Sequence, residues 1–227
     1  MPAQRLGSHP VAVRKYDVAG QDSPTKRYFV RHVGVSDEER DDVRANTGLS
    51  LVHMGPPLER GKSGTPIHSV GTAGLTAGQV RQIGVFVDEH LSEYEAEKIR
   101  KERQYVIHPH VREPDADVPC RRFSCAGFVI EAYRDAGIEL LVTEPARLPR
   151  VTLDTLANAY PDQAHRLRKP AVRSLFGLEG DGPWPAVLAG YVLNALDRTV
   201  HQIRGGPYLP AAGDEFFPGH SFAEARE

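Results

Sequence analysis

Arg121-Arg122-Phe123-Ser124-Cys125-Ala126-Gly127-Phe128-Val129-Ile130-Glu131-Ala132-Tyr133-Arg134-Asp135-Ala136-Gly137-Ile138-Glu139-Leu140 reads as a helix with a cysteine in its first turn. Ser124 is a good N-cap. Phe128, Val129, Ala132, Tyr133 and Ala136 recur at three- and four-residue spacing and make one apolar face, with Glu131, Arg134 and Asp135 on the other. Gly137 stands where a left-handed residue would end the helix, and Ile138 supplies the apolar contact beyond it. Unpaired N–H groups and the positive end of the helix dipole favour a thiolate at Cys125, the nucleophilic form of cysteine. Arg121 and Arg122 add positive charge, and the small Ala126 and Gly127 leave room for a substrate. The competing reading is a small buried hydrophobe, a common fate of a free cysteine.

The run Phe123-Ser124-Cys125-Ala126-Gly127-Phe128-Val129, followed by Ala132-Tyr133 and Ala136-Gly137-Ile138, resembles the cysteine helix of the NlpC-type thiol peptidases. Ser124 stands where that helix usually has aspartate and Ala126 where it has serine. Most histidines precede Cys125, an order that resembles the circularly permuted, lecithin–retinol acyltransferase-like branch of the superfamily. The resemblance implies an α+β, permuted papain-like fold: an antiparallel sheet packed on the cysteine-bearing helix, with helical additions at the C-terminus. It also implies thiol-dependent hydrolysis or acyl transfer on an amide, thioester or ester, with no cofactor. A catalytically inactive binding or structural module on the same fold is the alternative.

A thiol nucleophile needs a base within hydrogen-bond reach and a third group to orient that base. His32, in His32-Val33-Gly34-Val35, resembles the strand that carries the family's catalytic histidine, with a small residue two positions on where strand and cysteine helix pack closely. His53, in Leu51-Val52-His53-Met54-Gly55, resembles the next strand, which supplies the third polar residue. A second alignment makes His53 the base and His68 the orienting residue. His108 and His110 flank a proline just before the cysteine loop and form a further pair of candidates. The candidate catalytic set is therefore Cys125 with His53 and His32, and the choice of base stays open. Two histidines around Pro109 are a weak metal signal, and no C-x-x-C pair is present.

Composition narrows the function classes. Lys and Arg total 28 against 30 Asp and Glu, a net charge of −2, so nothing points to nucleic acid. The two cysteines, Cys120 and Cys125, are too few for a disulfide framework and fit a reducing compartment. A redox pair between them is a minor alternative. The N-terminus shows no apolar signal segment, and the run Ala186–Leu196 is too short to cross a membrane. The expectation is a cytoplasmic protein acting on a small-molecule, peptide or lipid acyl substrate.

Along the chain the pattern predicts three regions: a papain-like core over 10–160, a helical extension over 161–204 and a loop-rich tail over 205–227. Residues 1–9 read as a loose terminus. A strand is expected over Val11–Val18 and another over Lys26–Val35, joined by a turn at Ala19–Pro24 to make a hairpin. Ser36-Asp37-Glu38-Glu39 reads as a capping box that opens a helix ended by Gly48. Further strands are expected over Leu49–Met54 and Thr65–Val70, with a turn at Glu59–Gly64. A long helix is expected over Ala77–Arg103, a strand over Gln104–Val111, and a threonine-led short helix from Thr152 to before Pro161. Residues 161–184 read as irregular and basic, and Pro185–Arg204 as one buried helix.

Overall fold

The computed structural model describes residues 3–24, 29–62, 64–96, 105–107, 109, 113–116 and 118–205. The chain is mixed α+β. Its strands are β1 (Gln4–Arg5), β2 (Val11–Val13), β3 (Val18–Asp22), β4 (Val30–Ser36), β5 (Arg40–Val43), β6 (Ser50–Met54), β7 (Leu58–Lys62), β8 (Ser69–Gly71), β9 (Arg150–Val151) and β10 (Trp184–Pro185). The helices are α1 (Ala77–Ala96), α2 (Cys125–Asp135), α3 (Leu153–Ala159), α4 (Ala164–Leu167), α5 (Pro170–Leu175), α6 (Ala189–Ala195) and α7 (Val200–Arg204). Six strands form one antiparallel sheet in the order β1-β8-β3-β4-β6-β7.

Strand alternation sorts the sheet's side chains into two cores. Val18, Val33, Val35, Val52 and Met54 face α1, α2 and α6 in the larger one. Ala19, Leu51 and Val70 point the other way, into a smaller cluster with Val13, Val43, Leu49 and Ile67. The β2–β5 ribbon closes that second face. β9 and β10 pair Val151 with Trp184 and tie the C-terminal segment down.

The cysteine helix forms as its sequence predicts. The Ser124 hydroxyl accepts the Gly127 N–H at 2.9 Å. Its other end is a Schellman turn: Ile138 N–H donates to the Tyr133 carbonyl and Gly137 N–H to that of Arg134, with Gly137 at φ +76°. Two details differ. Glu131 is buried, held between Arg121 and Arg134, and Tyr133 reaches across to donate to the Tyr16 carbonyl at 2.7 Å.

Other expectations need correcting. Ser36-Asp37-Glu38-Glu39 opens no helix: Ser36 ends β4 and its hydroxyl closes a local turn on Glu38. The following segment has a single apolar anchor, Val43, so it has no helical stripe to bury; it pairs with β2 instead. Ala19–Asp22 is strand, because Gly20 lies under Leu193 of α6 where any Cβ would come within 2.6 Å of that side chain. The turn follows it, and β4 pairs with β3; of the expected first strand, only Val18 joins this hairpin, and Val11–Val13 pairs with β5 instead. Glu59–Lys62 is also strand, and the last sheet strand is Ser69–Gly71. Residues 4–5 join the sheet instead of trailing.

Pro185–Arg204 is broken into α6 and α7, because Thr199 with Gln202 builds a capping box that starts a new helix. Residues 161–184 contain α4 and α5. The expected helix at Thr152 is present, its hydroxyl accepting the Thr155 N–H. The distal part of the expected long helix (97–103) lies outside the described residues, as do His108, His110 and the tail beyond 205. Of the expected strand over 104–111, Tyr105 makes a single bridge to Phe123.

Candidate active site

β4 and β6 run side by side at Val35↔Val52 and Ser36↔Leu51. Gly34 keeps them close beyond that point. A Cβ there would sit 2.8 Å from the His53 Cβ and 2.8 Å from the Val52 carbonyl oxygen. The small residue two positions after His32 therefore makes room for β6, and not for the cysteine helix as the sequence suggests. The result is that His32 Nε2 lies 3.0 Å from His53 Nδ1, with the rings edge-on at 88°. The 20 residues between them are spent on the excursion through β5, not on an inserted helix.

The Glu59 carboxylate, on β7 opposite His53, lies 3.5 Å from His53 Nε2. These contacts favour one arrangement of protons. A carboxylate can only accept, so His53 carries its proton on Nε2 and presents a lone pair at Nδ1. His32 then donates from Nε2, which leaves its Nδ1 as the lone-pair nitrogen, the position a general base requires. Burial pushes both imidazoles down to about 4; the Arg31 cation adds to this for His32, and His32 itself for His53. Both are neutral at pH 7.

The thiol is at the N-terminus of α2, which packs against β4 and β6. Cys125 is 1 % exposed. The Tyr105 hydroxyl lies 3.7 Å from Sγ and 3.4 Å from the Cys125 backbone nitrogen, whose N–H it accepts. It also lies 3.3 Å from the Tyr160 hydroxyl, so its single proton can turn to either partner. Burial pushes the Cys125 thiol above its ordinary value. The backbone N–H groups of Val33, Ala126 and Cys125 and the Tyr105 hydroxyl act the other way but do not overcome it. The expectation of a depressed thiol is thus corrected: the helix start favours the thiolate, and the loss of water outweighs it. Burial raises Tyr105 and Tyr160 as well, so both hydroxyls keep their protons.

Among the described residues no hydrogen bond joins the Cys125 sulfur to an imidazole. The two groups are linked through the backbone: Val33, whose N–H acts on the sulfur, directly follows His32. His68 lies elsewhere. Its Nδ1 accepts the Asp22 N–H at 3.1 Å, so the pair brought together is His32 with His53, not His53 with His68. Cys120 and Cys125 are both buried and unpaired to each other. Tyr105, Tyr160 and Glu59 were not singled out by the sequence. Tyr105 sits in a segment whose pattern signals only strand, and no spacing rule ties it to a cysteine 20 residues on.

A cleft of about 610 Å³ opens beside the histidine pair. His32, His53 and Glu59 line its sheet side, and Tyr105, Tyr160 and Phe176 its helical side. Among the described residues no group of three or more His, Cys, Asp or Glu is placed to hold a metal ion, and no helix is long and apolar enough to cross a membrane. Compared with known protein families, with curated proteins and with solved structures, the chain has no match.

Proposed function

We propose that the protein is a thiol-dependent hydrolase or acyltransferase with a permuted papain-like organisation, acting on an amide, thioester or ester. The observation that carries this reading is the 3.0 Å bond between His32 and His53 in the cleft wall, on the strand whose next residue acts on the Cys125 sulfur. His32 is the base and His53 the residue that orients it. That matches the first of the two alignments with the NlpC-type family and supplies the third group that a Cys–His pair needs.

In this reading Cys125 gives its proton to His32 Nδ1 as Sγ attacks the substrate carbonyl. The thiol and the imidazole are both neutral at rest, so proton transfer accompanies attack and does not precede it. The oxyanion forms at the start of α2. The Cys125 N–H already has an acceptor in the Tyr105 oxygen, which polarises the Tyr105 O–H as a donor toward the developing charge. The imidazolium on His32 is stabilised by its bond to His53 and by the Glu59 carboxylate beyond it, and its Nδ1–H then protonates the leaving group. Water or a second nucleophile releases the acyl group from sulfur.

A non-catalytic binding module is the second reading, favoured by the buried, protonated thiol and its lack of a bond to an imidazole at rest. Alkylation of the native protein by iodoacetamide from pH 5 to 9, resolved by residue with mass spectrometry, separates the two. The hydrolase requires Cys125 to react in the folded protein and His32→Ala to slow that reaction. Cys125 reacting only after unfolding would overturn it in favour of the binding module.

A further inference from the structure

The pairing of β3 with β4 slips by one residue: Gln21 stands opposite His32 and Asp22 opposite Val30, so Arg31 has no partner. Such a bulge turns an extra side chain toward the face its neighbour occupies, and bulges recur beside active sites for that reason. Alternation would send Arg31 and His32 to opposite faces of the sheet. Here both are half-buried and both line the cleft. The Arg31 cation is close enough to His32 to disfavour its protonation.

Arg31 reaches over the cleft to Asp162 on the helical wall, at 3.2 Å. The guanidinium is 24 % exposed and the carboxylate 78 %. An ion pair whose acid is that exposed contributes little and exchanges readily. Among the described residues, Arg166, further along the same wall, bonds only to the neutral Gln163 side chain at 2.9 Å. Among the described residues, three cations, Arg31, Lys62 and Arg166, line the cleft against two carboxylates, Glu59 and Asp162. Glu59 is engaged by His53.

We infer that the site selects acyl substrates bearing a carboxylate close to the scissile bond, which Arg31 binds in place of Asp162. The planar guanidinium suits a carboxylate, which it can hold by two parallel N–H bonds. The inference rests on Cys125 being the nucleophile, and it deepens that reading by naming the substrate's charge.

The test compares two alkylating reagents that differ in charge, iodoacetate and iodoacetamide, on the full chain at pH 8. Each forms an S–C bond at Cys125 and expels iodide, the thiol proton passing to the base or to water. The rate ratio of the two reagents cancels the thiolate fraction, so a change in proton affinity at His32 does not disturb it. The ratio for urea-unfolded protein is the reference. Native protein is expected to favour iodoacetate over that reference by at least about fivefold, the scale of one close charge interaction near a surface. Arg31→Gln returns the ratio to the reference, Arg31→Lys keeps part of the preference, and Asp162→Asn raises it by freeing the guanidinium. Equal ratios in native, Arg31→Gln and unfolded protein, with Cys125 still reactive in the fold, overturn the inference and leave the hydrolase standing. A Cys125 inert to both reagents in the fold removes the nucleophile and the inference with it.

Discussion

The two sides of the candidate site solve the same electrostatic problem in opposite ways. On the sheet side, His32 and His53 lose solvent and are pushed down to about 4. On the helix side, Cys125 loses solvent and is pushed up. Burial disfavours charge in both cases, and the outcome is an uncharged thiol on one side and two uncharged imidazoles on the other. The sheet side is organised by side chains, in a line from Glu59 through His53 to His32. The helix side is organised by backbone N–H groups and two tyrosine hydroxyls. The first can move a proton; the second can hold a developing negative charge. The proposed hydrolase needs both.

The largest effect should come from breaking the sheet side. His32→Ala is expected to slow any thiol-dependent turnover by about 10²–10⁴-fold, the usual contribution of a general base, and to slow iodoacetamide alkylation at pH 7 as well. Breaking the helix side should split these two readouts. Tyr105→Phe keeps the ring contacts with Tyr160 and Phe176 and removes only the hydroxyl. Hydrolysis of a p-nitrophenyl ester should fall by about 10²-fold, whereas alkylation, which forms no oxyanion, should change far less. Equal losses in both assays would mean that Tyr105 only shapes the sulfur's surroundings.

The neutral imidazoles should also show in stability. Their folded value of about 4 lies below the ordinary 6.5. Between those values the unfolded chain binds protons that the folded one refuses. Their contribution to stability is therefore present above pH 6.5 and is lost as pH falls toward 4. Urea midpoints at pH 7 and pH 4.5 should differ more in the native sequence than in His53→Gln, which cannot titrate there. The smallest expected change sharpens the role of Gly34. Gly34→Ala forces β6 away from β4 and should cost about 1–3 kcal/mol. Gly61→Ala, with nothing within 4 Å of the new Cβ, should stay within about 0.5 kcal/mol. Similar urea midpoints for both variants would remove Gly34's claim to set the histidine spacing.

What the sequence made legible was local. Ser124, Gly137 and the apolar stripe between them predict α2 closely, because capping and 3.6-residue periodicity act within a few residues. β4 and β6 were legible for the same reason. The misreadings share a cause. Ser36–Glu39 carries helix-start chemistry, but nothing apolar follows to be buried, and tertiary pairing with β2 prevails. Gly20 looks like a turn residue until α6 lies on it. At the candidate site, the chain offers Cys125 and the two histidines as candidates. Their pairing could not, because His53 sits beside His32 only through Gly34. Tyr105 left no signal, and the sign of the thiol's shift depends on burial, which no helix-start argument measures.

The closed position of Cys125 has a consequence for its durability. Peroxide attacks thiolates, and the climb from sulfenic to sulfonic acid begins with an accessible, ionised sulfur. A sulfur 1 % exposed and kept protonated by its surroundings offers neither. In the proposed hydrolase, a nucleophile stored in this form would outlast oxidants that spend an exposed one.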